Sequence, residues 1–213
     1  MLSNFKAVIW DFGGVITSSP FEAFNRYEAE RGLPRDTIRR INSIHPDNNA
    51  WSKIERAEID GAGFDALFAA EARAIGHDIP GRAVLALLSG DVRPRMVAAL
   101  DQCKASGLKL GCITNNVPAG TGDETLTRSP AADALTRFEH IIESSKAGVR
   151  KPDPRIYAMM CEALSVAPKE CVYLDDLGIN CKPAAAMGMT AIKVTGEAQA
   201  LTDLGAVLGM TFA

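Results

Sequence analysis

An alternation narrows the possible folds of this chain more than any other feature. After Arg93-Pro94, short apolar runs of strand length take turns with stretches of helical periodicity. Helix is expected from Arg95 to Ser106, closed by Gly107, and strand from Leu108 to Thr114. A helix near Pro130 to Arg137, a strand from Phe138 to Glu143 and a helix from Pro154 to Leu164 follow. Strands from Cys171 to Asp175 and Thr190 to Val194 complete the series, with a helix between them and another after. Strands separated by helices of this length require right-handed crossovers, and hence a parallel sheet covered on both faces. One further buried strand, Phe5 to Trp10 (FKAVIW), stands far upstream and stops at Asp11 and two glycines. The expected fold class is α/β, a doubly wound, Rossmann-like parallel sheet.

Between that first strand and the second, from about Phe21 to Leu88, the pattern is helical throughout, broken only by Gly, Pro, Asp and Asn. A chain of 213 residues is long enough for one sizeable core and a small insertion. Residues 1–17 and 91–213 are expected to form the α/β core, and residues 18–90 an all-helical cap. The polar, Gly-rich stretch Val117 to Ser129 reads as a loop after a strand end.

A net charge of −3 gives no global basic field for nucleic acid, so a small-molecule substrate is the expected partner. The amino terminus lacks a signal-peptide pattern, and no apolar run is long enough for a membrane span. A cytoplasmic protein without membrane or nucleic-acid partners is expected, as a monomer or a homodimer. The five cysteines, Cys103, Cys112, Cys161, Cys171 and Cys181, contain no CxxC pair and read as buried free thiols.

The chemistry lies where the strands stop, because the carboxyl ends of an open parallel sheet share one crevice. Asp11, in VIWDFGGV, projects from a tight turn and can attack phosphorus to form an acyl phosphate. Thr114-Asn115-Asn116 ends the run LKLGCIT with a hydroxyl and amides. Lys151 precedes Pro152-Asp153-Pro154, where Asp153 suits a helix N-cap and Pro154 the first helical turn. Its point charge can neutralise both a nucleophile and a transferring phosphoryl group. Asp175-Asp176 closes the run CVYL, and two adjacent acids after a buried strand call for a cation or a lysine. Hard oxygen ligands of this kind suit Mg²⁺.

The ordered set VIWDFGGV, CITNN, VRKPDPRIY and YLDDLGIN resembles the four motifs of the haloacid dehalogenase superfamily, over the whole chain. LDDLGINCKPAAAMGM and KPDPRIY are similar to the subgroup containing the phosphatase domain of soluble epoxide hydrolase and small bacterial sugar-phosphate phosphatases. The resemblance implies that Asp11 is the nucleophile, that Thr114 and Asn115 bind the transferring group and that Lys151 balances charge. It implies a Mg²⁺ site at Asp11, the Gly13 carbonyl and Asp176, supported by Asp175. Asn180 stands where many members carry another acid.

One departure matters. Most phosphatases of that superfamily carry a general acid and base two residues after the nucleophile, and here that position is Gly13. The expected activity is a Mg²⁺-dependent phosphatase for a small phosphorylated metabolite, working through an aspartyl phosphate on Asp11. A substrate with a good leaving group, such as a sugar 1-phosphate or acyl phosphate, needs little protonation. Water, or a cap residue such as His45, Glu55 or Glu58, could also stand in, although Glu55, Arg56 and Glu58 suit the solvated face of the helix bearing Trp51 and Ile54. The alternatives are a 2-haloacid dehalogenase, whose halide needs no proton, and a phosphate-binding or regulatory protein with little turnover.

Overall fold

The computed structural model describes residues 4–116 and 129–212. Among the described residues five parallel strands form one sheet: β1 (Ala7–Trp10), β2 (Lys109–Thr114), β3 (His140–Glu143), β4 (Cys171–Asp175) and β5 (Thr190–Lys193). Their order is β3-β2-β1-β4-β5. β1 carries no polar residue and takes the centre, where Ala7, Val8, Ile9 and Trp10 are all fully buried.

Between β1 and β2 the chain forms five helices: α1 (Pro20–Glu30), α2 (Thr37–Ser43), α3 (Ala50–Glu55), α4 (Gly61–Ala74) and α5 (Gly81–Leu85). They enclose a cluster of their own in which Phe24, Ile38, Ile41, Ile54, Phe64 and Phe68 are buried. The starts of α3 and α4 are capped by Asn49, which accepts from Ser52 N, and Asp60, which accepts from Gly63 N. Two connections join these helices to the sheet side by side: Thr17 and Val92 form an antiparallel bridge, and Arg93 N donates to Ile16 O at 2.8 Å.

The return runs through α6 (Pro94–Ala105), α7 (Pro130–Leu135), α8 (Ser144–Ala147), α9 (Pro154–Leu164), α10 (Gly178–Ala186) and α11 (Glu197–Leu208). Strand side chains alternate between two layers. Val8 and Trp10 join Met96, Leu100 and Leu204 of α6 and α11, while Ala7 and Ile9 join Ile156, Tyr157 and Met160 of α9. Each fully buried aliphatic of this kind contributes roughly 2 kcal/mol. At Gly111 of β2 a Cβ would lie 2.6 Å from the sulfur of Met160, so glycine lets α9 sit directly on the strand.

α9 and β4 have the bounds read from sequence, and α6, β1, β2, β3 and β5 differ from it by one or two residues at an end. α8 was not expected; four residues are too few to show a helical period. The stretch expected as a loop lies outside the described residues, except for Ser129, which caps α7 by accepting from Ala132 N. All five cysteines are free and buried. Among the described residues no helix is long and apolar enough to cross a membrane.

Candidate active site

The crossovers from β1 to β2 and β3 run one way across the sheet, and that from β4 to β5 runs the other. The reversal falls between β1 and β4, where an open α/β sheet forms its crevice. Asp11 N donates to Leu174 O at 2.8 Å, so Asp11 leaves β1 beside Asp175, the last residue of β4. Lys151 enters from the loop before α9 with its Nζ 2.8 Å from Asp11 Oδ1 and 2.8 Å from Asp175 Oδ2. That loop is held as its sequence suggests, for Asp153 caps α9 by accepting from Arg155 N, with Pro154 in the first turn.

Burial opposes charge on the Lys151 ammonium, but Asp11 and Asp175 outweigh it and hold the lysine protonated, above its usual range. Asp11 is pushed well above the usual carboxylate range by burial and by Asp175 and Asp176, against the pull of Lys151. Asp176 is pushed up to about 6 by burial and by Asp175. Asp175 is fully engaged: it accepts from Lys151, from the Tyr173 hydroxyl, from Leu177 N at 2.8 Å and from Asn180 Nδ2 at 3.0 and 3.1 Å. Asn180 is itself gripped by the Tyr157 hydroxyl, which donates to its carbonyl at 2.8 Å. Asp11, Asp175 and Asp176 each present an oxygen, and these lie within 4.8 Å of one another. One lysine against three acids leaves negative charge that suits a divalent cation.

The turn after Asp11 is built around Gly14. Its φ is +77°, and a Cβ there would lie 2.2 Å from Asp176 Oδ2, so the carboxylate rests against bare backbone. Arg93 braces the turn by donating to Gly14 O at 2.9 Å. Gly13 is different. A Cβ there meets nothing within 4 Å, and its φ lies outside the left-handed region. Neither backbone nor packing therefore demands glycine at position 13.

Thr114 ends β2, half-buried, at the same edge. The side chain of Asn115 grips Lys151 from both sides: its Oδ1 accepts from Lys151 N at 2.9 Å, and its Nδ2 donates to Lys151 O at 3.0 Å. Asn116 is tied to β3 and α8 through Glu143, Ser144 and Ser145.

The helical insertion contributes Glu55, for which the sequence leaves open a stand-in for the missing acid and a place on a solvated helix face. Glu55, at the end of α3, is only 5% exposed and faces the sheet domain. Its Oε1 accepts from Trp51 Nε1 at 2.9 Å, its Oε2 lies 2.6 Å from Arg150 Nε, and Asn115 Nδ2 approaches Oε2 at 3.5 Å. Arg150 also donates to Pro46 O at 3.2 Å. Burial, against the pull of Arg150, raises the Glu55 carboxyl to about 7. Glu58 stays exposed and pairs with Arg56, and His45 is exposed. Trp51 and Glu55 are one helical turn apart and share a face with buried Ile54, but that spacing does not say what the face docks against. Ser19, which donates to Asp176 Oδ2 at 3.3 Å, carried no signal of its own.

A family model described as haloacid dehalogenase-like hydrolase matches residues 5–188. The chain is 32% identical over 211 residues to acyl-CoA dehydrogenase family member 10 of Mus musculus, covering 97% of this chain and 19% of that protein. It is 28% identical to bifunctional epoxide hydrolase 2 of Mus musculus, over 97% of this chain and 39% of that protein. The chain thus spans well under half the length of these two relatives. With a phosphorylated carbohydrates phosphatase of Thermotoga maritima it shares 28% identity over 95% of this chain and 92% of that one. Among solved structures, a HAD family enzyme from Bacteroides thetaiotaomicron, in complex with magnesium and inorganic phosphate, superposes with a TM-score of 0.62 and 19% identity, over 91% of this chain and 96% of that one. An L-2-haloacid dehalogenase from Xanthobacter autotrophicus gives a TM-score of 0.61 and 18% identity, over 98% of this chain and 84% of that one. Sheet order, strand-end residues and the match over residues 5–188 agree: the chain belongs to the haloacid dehalogenase-like hydrolase family.

Proposed function

We propose that this chain is a Mg²⁺-dependent phosphatase for a small phosphorylated metabolite, with residues 18–90 acting as a cap over the crevice. The observation that carries this reading is the meeting of Asp11, Asp175 and Asp176 around one buried lysine. In this account Asp11 attacks phosphorus, Lys151 offsets charge on the nucleophile and the phosphoryl oxygens, and Thr114 and Asn115 border the transferring group.

The residues present fit a magnesium ion. Asp11 and Asp176 sit among like charges in a buried place, where carboxylates resist ionisation unless a cation joins them. Asp11, Asp176 and the Gly13 carbonyl would hold the ion, with Asp175, already engaged by four donors, adding charge in support. Bound magnesium would offset the phosphate charge and orient one of its oxygens.

The dehalogenase reading is weaker. Carbon–halogen cleavage needs no cation to bind a phosphate, so it leaves the clustering of Asp175 and Asp176 with Asp11 unexplained. The relative from Thermotoga maritima, which this chain matches over nearly its full length, is named for phosphorylated carbohydrates, and sugar phosphates head the substrate panel. The test is a panel of sugar 1-phosphates, alkyl phosphates and short 2-haloacids, with and without Mg²⁺. Phosphate release that requires Mg²⁺ is the expected result. Halide release without metal would favour the dehalogenase, and tight phosphosugar binding without turnover a regulatory protein.

A further inference from the structure

A phosphatase with glycine at position 13 needs another group to protonate a basic leaving oxygen and to deprotonate the water that clears the acyl phosphate. Chemistry of this kind is worth about 10²–10⁴-fold in rate. Of the three cap residues that could take it over, His45 and Glu58 are exposed, whereas Glu55 is buried where the helical insertion meets the sheet domain. Its Oε2 lies 3.5 Å from the amide of Asn115, the residue directly after Thr114 at the crevice edge.

We infer that Glu55, reaching the crevice from α3, is the proton donor and acceptor that position 13 lacks. This inference rests on the phosphatase reading. In the first step protonated Glu55 gives its proton to the ester oxygen as the bond from phosphorus to that oxygen breaks and the bond from Asp11 to phosphorus forms. The alcohol departs. In the second, the Glu55 carboxylate takes a proton from water while the water oxygen bonds to phosphorus, and the electron pair of the Asp11–phosphorus bond returns to Asp11. Phosphate leaves, and both carboxyls regain their starting states.

The surroundings of Glu55 suit both halves of that cycle. Burial favours the acid, while Arg150 Nε at 2.6 Å and Trp51 Nε1 at 2.9 Å favour the carboxylate. Arg150 Nε is close to Oε2 without the alignment of a hydrogen bond, so the pair is a charge contact that can yield. Other charges nearby are Lys151 on the core side and Arg56 at the end of α3; Glu71 of α4 binds Ala50 N at the far end of α3, and Lys146 of α8 is exposed and pairs with Glu143. Balanced in this way, the carboxyl titrates at about 7, near the operating pH that proton transfer in both directions requires.

Glu55→Gln tests the inference with two esters, a simple alkyl phosphate and p-nitrophenyl phosphate, in Mg²⁺. A proton donor matters in proportion to the basicity of the leaving oxygen, so in single-turnover measurements alcohol release from the alkyl ester should fall about 10²-fold and nitrophenol release by less than about fivefold, while hydrolysis of the shared acyl phosphate slows for both. A residue that merely seats the cap would lower both alcohol-release rates alike, and equal losses in that first step would overturn the inference. Arg150→Met gives a second readout should Glu55→Gln fold poorly. Removing the cation that favours the carboxylate should move the alkaline limb of the alkyl-ester pH profile upward, and an unmoved limb would count against Glu55. Equal losses with an active wild type leave the phosphatase reading standing, whereas no phosphate release from any ester by the wild type overturns both.

Discussion

Lys151 Nζ lies 2.8 Å from Asp11 Oδ1, with the lysine 1% exposed and shared with a second acid, Asp175. A buried ammonium in this place pulls Asp11 toward its charged form, against burial and the neighbouring acids. Removing it leaves two buried acids without their counter-charge.

Lys151→Met should therefore cost stability as well as activity. Breaking a buried ion pair by deleting one partner costs about 3–5 kcal/mol. Lost charge stabilisation at the reacting centre should lower kcat by about 10²–10³-fold. Urea unfolding and phosphate release, measured on the same preparation, check both; a variant as stable as the wild type would show that Lys151 is not the counter-charge of Asp11 and Asp175.

The two glycines after Asp11 should respond oppositely. Gly14→Ala forces a side chain into the left-handed region and onto Asp176 Oδ2, so it should destabilise the protein by about 1–3 kcal/mol and weaken Mg²⁺ binding. Gly13→Ala meets open space and should fold with wild-type stability. Thermal melts with and without Mg²⁺ separate the two, and equal behaviour would contradict the placement of Asp176 over Gly14.

Because position 13 has room, Gly13→Asp added to Glu55→Gln should restore alkyl-ester turnover at least about tenfold, within the range of general acid catalysis. Kinetics on the single and double variants check this. No gain would mean that a carboxylate at position 13 cannot reach the leaving oxygen.

Glu55 also sets a pH dependence of stability. Its carboxyl is raised from 4.5 to about 7 in the folded protein. A raised carboxyl contributes stability that is fully present below about pH 4.5 and lost as the pH rises through about 7. Above that the charged residue costs roughly 3 kcal/mol relative to a neutral one. Glu55→Gln should thus be more stable than the wild type at pH 8, with the difference vanishing near pH 4.5. A wild type more stable than the variant at pH 8 would show that Arg150 outweighs burial.

Much of this architecture was legible because local and global signals agreed. α9 starts at Asp153-Pro154, which cap it whatever the tertiary context, and β4 is an apolar run stopped by two acids. Asp11, Asp175 and Asp176 could be drawn together because each stands at a strand end of one parallel sheet, and Lys151 through its Pro-Asp-Pro loop and the resemblance of the four motifs. Glu55 stands in the sequence only as one of three cap candidates, because burial of its helix face depends on docking against the sheet domain, which periodicity within α3 does not encode. The Asn115 side chain also holds the Lys151 peptide, a contact between residues far apart in sequence that its place after β2 does not show. The same holds for Ser19 and Tyr157: their partners are set by tertiary packing, and their residue types are too common to signal it.

If Asp11 is the nucleophile of a phosphatase, phosphate release from a sugar 1-phosphate in Mg²⁺ depends on its carboxylate, and the comparison of the wild type with Asp11→Asn decides it. The wild type should release phosphate and Asp11→Asn should fall to background; unchanged release by Asp11→Asn would contradict the account.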